Sequence, residues 1–306
     1  MPLLQAVADR LSATSVERGV VEEVIDRDAL FALLPFHRIE GKAWVYNREG
    51  VLSEGAFIDP YNDTVPEEAS TVTDVTVTLK TLIGDVDVDK FSEATKSDTN
   101  DQKALQIAMK AKGMGRRFRR TLVQGDSAAN SKEFDGLWKL VTAQQSIAAG
   151  AGPTNNLTFS MLDDLVDRVP NGADAIMMHS STLRYYRALC RAQNGTDAAQ
   201  IMIPNFGLAL PAHNGVPIII NDFMPTTENV GGTALTGGSF RSVYAMRLNE
   251  ADGLFGVYGG SEAAGFTVED IGTVQNKDAT RTRLKWYCNL ALKSTKSLAR
   301  LYGVSN

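Results

Sequence analysis

Cysteine is nearly absent from this chain. Cys190 and Cys288 lie far apart and fit no metal-ligand or redox spacing, so a disulfide scaffold, a zinc cluster and a dithiol exchange centre are all excluded as organising features. At 306 residues the chain can bury most of the surface its unfolded form exposes and needs no such staple. Histidine is as scarce. His37, His179 and His213 are scattered, with no H-x-x-x-H pair and no cysteine neighbour, and read as ordinary structural residues. No apolar run approaches the roughly 20 residues of a membrane span. The start, MPLLQAVADR, lacks a basic region followed by an apolar core, so no secretory signal is read. Positive charge is not in excess either: 31 Lys plus Arg face 36 Asp plus Glu, for a net charge of −5. A protein that grips nucleic acid through its phosphates should be strongly basic, so any contact with DNA is expected to be local and weak. Synthesis in the cytoplasm, no membrane and no cofactor are the expectations.

Motifs of catalysis are also missing. Gly113-x-Gly115 lacks a third glycine and falls inside a helical pattern. GAGP at 150–153 lacks the Lys-Ser/Thr of a phosphate loop. The nearest thing to a nucleophile elbow is Gly259-Gly260-Ser261-Glu262-Ala263, where Ala263 stands in the place of the required glycine. Asp85, Asp87 and Asp89 share one face of a strand, but same-face neighbours sit about 6.6 Å apart. Calcium draws its oxygens to about 2.3–2.6 Å, so a solvated strand edge is the expected role of these carboxylates.

What the sequence does contain is periodicity. Val16, Val20 and Val24 recur on one helical face, and a run from Asp28 through Phe31 ends at Pro35. Residues 38–70 hold a strand-like Trp44-Val45-Tyr46, a turn candidate at 47–50, and then Phe57, Ile58 and Tyr61 in an irregular stretch. These aromatic side chains need burial, yet the local pattern builds no core, and burial against another copy of the chain is expected. VTVTLKTLIGDVDVDK (75–90) reads as an alternating strand pair broken at Gly84. The next segment, 101–123, reads as a helix with Ile107, Ala111, Met114, Phe118 and Leu122 on one stripe. Gly113 and Gly115 each cost it about 1 kcal/mol, which a bend or a close packing contact would explain. Ser97, Asp98 or Thr99 could cap it, and Gly125 could end it. GDSAANSKEFDGLWKL (125–140) follows. Further on, helices are expected at 159–169 and 182–192, and strands at 175–178, 201–211 and 216–220, with His213-Asn-Gly215 as the last turn. A hairpin is expected to join 243–248 to 254–258, and a strand to run through Leu284, Trp286 and Cys288. The mix is α+β.

Taken in order, these elements resemble tailed-phage major capsid proteins, which share the Hong Kong 97-type fold. The passages that carry the resemblance are VTVTLKTLIGDVDVDK, the long helix with GDSAANSKEFDGL, NLTFSMLDDLVDRV with ADAIMMHSSTLRYYRALCRA, LPAHNGVPIIINDFMP, and TRLKWYCNLALKSTKSLARLYGV. It implies an N-terminal arm (1–37), an extended loop (38–72), a peripheral domain (73–171) with a spine helix at 101–123, an axial domain (172–271), and a return strand to the peripheral domain (272–306). It further implies a structural subunit, not an enzyme, that builds an icosahedral head through pentamers and hexamers. The arm (Val16, Val20, Val24, Phe31) and the extended loop (Trp44, Tyr46, Phe57, Tyr61) would clasp neighbours. A separate scaffolding protein, a portal and a decoration protein are the implied partners, the virion capsid is the implied location, and a covalently cross-linked shell is not expected. Arg116, Arg117, Arg119 and Arg120 form the densest basic cluster. They would touch packaged DNA, pair with a neighbouring subunit, or simply end a helix near the negative pole of its dipole. An encapsulin compartment of the same fold, a soluble α/β hydrolase using Ser261, and a tail or decoration protein are the alternatives.

Overall fold

The computed structural model describes residues 30–58, 67–96, 102–150, 155–194, 199–202, 209–226, 229–230, 233–234, 240–260 and 265–305. Expectations for Val16, Val20, Val24, Tyr61, Ser261 and the cap at 97–99 fall outside these residues. In chain order the elements are α1 (Leu30–Leu33), β1 (Phe36–Arg38), β2 (Ala43–Glu49), β3 (Val72–Thr78), β4 (Lys80–Asp89), α2 (Lys90–Lys96), α3 (Gln102–Gln124), α4 (Leu137–Leu140) and β5 (Ser146–Ala148). Then come α5 (Phe159–Asp167), β6 (Ala175–Met178), α6 (Ser180–Asn194), β7 (Gln200–Met202), β8 (Ala209–His213), β9 (Val216–Ile220), β10 (Asn229–Val230), β11 (Thr233–Ala234), β12 (Phe240–Met246), β13 (Leu254–Gly259), β14 (Phe266–Thr273), β15 (Ala279–Leu292) and β16 (Leu298–Ser305).

The 14-residue β15 organises one half of the molecule. It pairs antiparallel with β4 along one side and with β14 and then β13 along the other. Its alternation explains its two faces. Thr282, Leu284, Trp286 and Cys288 turn inward and are buried, while Arg281, Arg283 and Lys285 turn outward. The spine helix α3 lies over the inner face. Its 23 residues span about 34 Å at 1.5 Å per residue, and Met114, Phe118 and Leu122, spaced by four, are buried against β4 and β15. Phe118 centres an aromatic cluster, with ring centroids 4.6 Å from Trp286, 5.5 Å from Phe134 and 5.6 Å from Phe31. Gly113 and Gly115 need no close contact: a Cβ at either would meet nothing within 4 Å. The packing explanation expected for them is therefore corrected.

The GDSAANSKEFDGL passage closes the end of the spine helix. Gly136 N donates to Gly125 O at 2.9 Å, Trp138 Nε1 donates to the same carbonyl at 3.0 Å, and Ser127 N donates to Asp135 Oδ1 at 2.8 Å. A Cβ on Gly136 would sit 2.7 Å from Gly125 N and from Thr121 O. Backbone approaches backbone there, which only glycine permits.

The other half is a seven-stranded sheet ordered β5-β16-β12-β6-β9-β8-β7. Strands β6 and β12 are buried along their whole length. Helices α5 and α6 cover the sheet through Leu162, Leu165, Leu183 and Tyr186. Asn214 (φ 47°) and Gly215 (φ 85°) form the β8–β9 turn, as a two-residue hairpin turn requires.

Three local expectations are corrected. β3 and β4 do not pair with each other: β3 pairs with β2, and β4 with β15. Likewise β12 and β13 form no hairpin, since β12 pairs with β16 and β6 while β13 pairs with β1 and β15. The segment 272–306 divides, with β15 in the five-stranded sheet and β16 in the seven-stranded one. In each case a partner far along the chain outcompetes the near one.

Candidate assembly surface

Strands β2 and β3 form a separate two-stranded ribbon, in register from Ala43–Thr78 to Glu49–Val72. Pairing continues outward, with Gly50 N donating to Thr71 O at 2.9 Å and Thr71 N to Val51 O at 2.8 Å. The turn expected at 47–50 is therefore not there. Gly50 serves a different purpose, because a Cβ on it would lie 2.9 Å from Thr71 O.

The ribbon has an anchored base and an exposed tip. At the base, Trp44, Tyr46 and Val77 share one face and pack on Ile39, Phe255, Val257 and Ala291. The Trp44 ring lies 5.6 Å from Phe255, edge-on, and 5.0 Å from Tyr46. Tyr46 Oη donates to Leu292 O at 2.5 Å, and burial pushes its pKa up. Arg48 donates through Nη2 to Leu292 O at 2.6 Å and through Nε to Lys293 O at 2.7 Å. The expectation that Trp44 and Tyr46 find no burial within their own chain is thus corrected. Their partners are the end of β15 and β13, more than 200 residues away. Phe31 needs the same correction, since it packs against Phe36, Phe118 and Trp286 of its own core. The tip differs. Val51, Leu52, Phe57 and Ile58 are exposed, and Phe57 has no cover at all (111 %).

The arginine cluster on the spine helix is split by the helical turn. Arg119 is buried, with Nη2 donating to Ile220 O at 3.3 Å and the guanidinium 5.2 Å above the Phe223 ring. Arg117 pairs with Glu133. Arg120 is exposed, 5.9 Å from the same Phe223 ring, and Arg116 is half-buried. A four-residue basic surface is therefore corrected: Arg119 ties the spine helix to the end of β9.

The strand carboxylates are at a sheet edge but are not merely solvated. Asp87 accepts two bonds from Arg281, at 2.6 and 2.7 Å, and Asp85 two from Arg283, at 2.7 and 2.8 Å. These guanidinium bonds hold both carboxyls below their usual range. Asp89 caps α2 through the amides of Phe91 and Ser92. His213 is buried, 2.9 Å from Asp163 Oδ1 and 3.1 Å from Tyr186 Oη. It joins α5 and α6 to the β8–β9 turn. Burial pushes the Cys288 thiol up to about 12, leaving it unreactive. Among the described residues no cluster of three metal-ligating side chains exists, and no helix is long and apolar enough to cross a membrane.

Sequence reasoning missed two features. One is Arg48, although its place two residues beyond Tyr46 puts it on the anchored face. The other is a cavity of about 180 Å³ between the spine helix, β4 and the 130–134 loop, with Leu82, Phe118, Phe134 and Cys288 among its walls. No local pattern announces it, because it is assembled from four separate segments.

No protein-family model matches this chain, and no curated protein matches its sequence. Solved structures do match in shape. A holo-encapsulin complex from Synechococcus elongatus superposes with a TM-score of 0.73 at 21 % identity, covering 100 % of this chain and 97 % of that one. The capsid of an empty GTA particle gives 0.68 at 12 % identity, covering 96 % and 95 %. The capsid of cyanophage P-SCSP1u gives 0.57 at 13 % identity, covering 95 % and 93 %. A spine helix over a β15-centred sheet, a seven-stranded second sheet and a projecting ribbon therefore follow one known architecture end to end, and the chain has the Hong Kong 97-type capsid fold.

Proposed function

We propose that this chain is the structural subunit of the icosahedral head of a tailed double-stranded DNA phage, and that its activity is self-association. The observation that carries this reading is the ribbon. Its base is locked to its own chain, while its tip holds Val51, Leu52, Phe57 and Ile58 in water. A stable soluble chain does not keep a cluster of large apolar side chains exposed at the end of a projecting arm without something to cover it. On this reading the arm (1–37) and extended loop (38–72) clasp neighbours, the seven-stranded sheet with α5 and α6 gathers copies into rings as the axial domain, and the β15 sheet with the spine helix joins rings to one another as the peripheral domain. A separate scaffolding protein, a portal and a decoration protein would act with it. Contact with packaged DNA would be weak and fall to Arg116 and Arg120. Assembly would take place in the host cytoplasm and the product would be the virion.

A second reading is an encapsulin-type compartment, favoured by the TM-score of 0.73 to an encapsulin shell. Negative-stain microscopy of the overexpressed protein tests both. Closed particles, tubes or rings are expected. DNA-filled heads in infected cells support the phage reading, and purified particles holding protein cargo without phage DNA support the encapsulin. A monodisperse monomer at all concentrations and with every partner supplied would overturn both.

A further inference from the structure

Where β6 ends and α6 begins, the seven-stranded sheet holds a buried cation that its own chain does not satisfy. Arg241 is 9 % exposed, and its Nε is sealed from solvent with no hydrogen-bond partner among the described residues. Buried polar groups are normally paired, because leaving a charge unmatched away from water is costly. Strand alternation fixes where this side chain goes. Val243 and Ala245 pack on the helical face of the sheet, and Tyr244 and Met246 on the other. Arg241 continues the first series, and Val304, its partner across β16, packs on that same helical face. Along β6 the register pairs Met246 with Ala175, Ala245 with Ile176 and Tyr244 with Met177. Continued by three residues, it sets Arg241 against Ser180, the first residue of α6.

Other donors converge on the same spot. Arg184 is exposed one turn into α6. Burial, and after it the charge of Arg184, lowers the pKa of Arg241. His179 immediately precedes α6. Ser181 N donates to its Nδ1 at 3.1 Å, so the ring proton sits on Nε2. That Nε2 lies 3.9 Å from Asp222 Oδ1, too far for a hydrogen bond. Burial, then the Arg241 charge, pushes the His179 pKa below its ordinary value, which leaves a neutral imidazole presenting an N–H. The setting suits an anion as well. β6 and β9 run parallel, and the crevice beyond the carboxyl ends of parallel strands, at the start of the following helix, is where such sheets hold anionic ligands. Asp222, the carboxylate at this end, is engaged by Ser180 N at 3.1 Å, and its side chain is 59 % exposed, so water screens its repulsion.

We propose that Arg241, Arg184 and the Nε2–H of His179 form a binding site for a compact oxyanion of the phosphate class at the start of α6. The slight exposure of Arg241 favours a small tetrahedral ion over a polymer backbone. The site lies within one subunit and stands whether or not copies assemble.

Equilibrium dialysis of the purified protein against labelled inorganic phosphate, at an ionic strength held constant with sodium chloride, tests it. Saturable uptake of one phosphate per subunit is expected. Arg241→Met should weaken binding about 10- to 150-fold, as loss of a charged hydrogen bond does. Without phosphate the same variant should melt no lower than the unmodified protein, because an apolar side chain replaces an unpaired buried charge. An arginine that only holds the fold together would lower the melting temperature, and that result would overturn the assignment. Two surface variants carry the test if Arg241→Met does not fold. Arg184→Gln should weaken binding and Asp222→Asn should tighten it, each by up to about fivefold. A DNA oligonucleotide without terminal phosphates should leave the bound ion in place, and displacement would refute a compact ligand. No saturable uptake, or uptake that neither surface variant alters, overturns the site.

Discussion

Replacing Arg48 with methionine should free the ribbon without unfolding the subunit. A two-stranded ribbon is marginal on its own in water, so the attachment at its base decides how often it opens. Arg48 supplies two polar ties, to Leu292 O and Lys293 O, while Tyr46 Oη donates to Leu292 O and Asn289 Nδ2 donates to Thr78 O at 2.5 Å. A hydrogen bond from a charged donor contributes about 1.5–3 kcal/mol. Both acceptors are only partly shielded here, so water recovers some of that loss. Tyr46 also stays bonded to Leu292 O. A net cost near 2–3 kcal/mol follows, and methionine keeps most of the stem contact with the base. Because opening is local, amide exchange reports it directly. Amides of residues 43–49 and 72–78 should exchange roughly 30- to 150-fold faster. Those of β12 and β16 should be unchanged and the melting temperature nearly so. If ribbon exchange does not change, or if all strands accelerate together, the ribbon is not a separately latched unit and the reasoning fails.

Phe118→Ala should lose about 3–5 kcal/mol, because the ring touches Trp286, Phe134, Phe36 and Phe31 at once. Denaturant melting checks this, and a loss under 1 kcal/mol would mean the aromatic cluster is not the keystone of this half. Gly113→Ala with Gly115→Ala should stabilise the subunit by up to about 1 kcal/mol each, since both have open space around them. Destabilisation in the same melts would contradict that. Acid should weaken the β4–β15 pairing. Asp85 and Asp87 have carboxyls lowered below the ordinary 3.8 by Arg283 and Arg281. Their contribution is therefore complete above that value and is lost as pH falls through the lower folded-state values. Asp85→Asn/Asp87→Asn should flatten the stability profile below about pH 4. An unchanged acid limb would show that the two pairs contribute nothing there.

Much of this fold is local and was legible as such. The spacing of Met114, Phe118 and Leu122 marks the spine helix because every fourth residue meets the same sheet. Asn214-Gly215 marks its turn because both residues must take positive φ. What was not legible depends on partners distant in sequence. Asp85 and Asp87 read as a solvated edge until Arg281 and Arg283 are seen opposite them, about 200 residues later. Arg119 reads as one of four basic residues until the turn of the helix carries it to Ile220 and Phe223. Nothing in the sequence singles out Gly136 until the backbone of Gly125 is found against it. A sequence shows which face a side chain occupies, but not what faces it.

Trp44, Tyr46 and Phe57 bring that distinction to bear on function. By composition they belong to one irregular stretch with no core of its own. The fold divides them: alternation on β2 places Trp44 and Tyr46 toward Phe255 and Ala291, where the subunit covers them itself, while Phe57 lies beyond the paired region and is fully exposed. Of these three residues, Phe57 is therefore the one that calls for a second copy. That division is also what a shell subunit requires. A ribbon with no internal anchor would collapse or aggregate before meeting a partner, and one satisfied along its whole length would have no reason to meet one. On the proposed reading, anchoring the base sets the direction in which the tip points, and assembly is what covers Phe57.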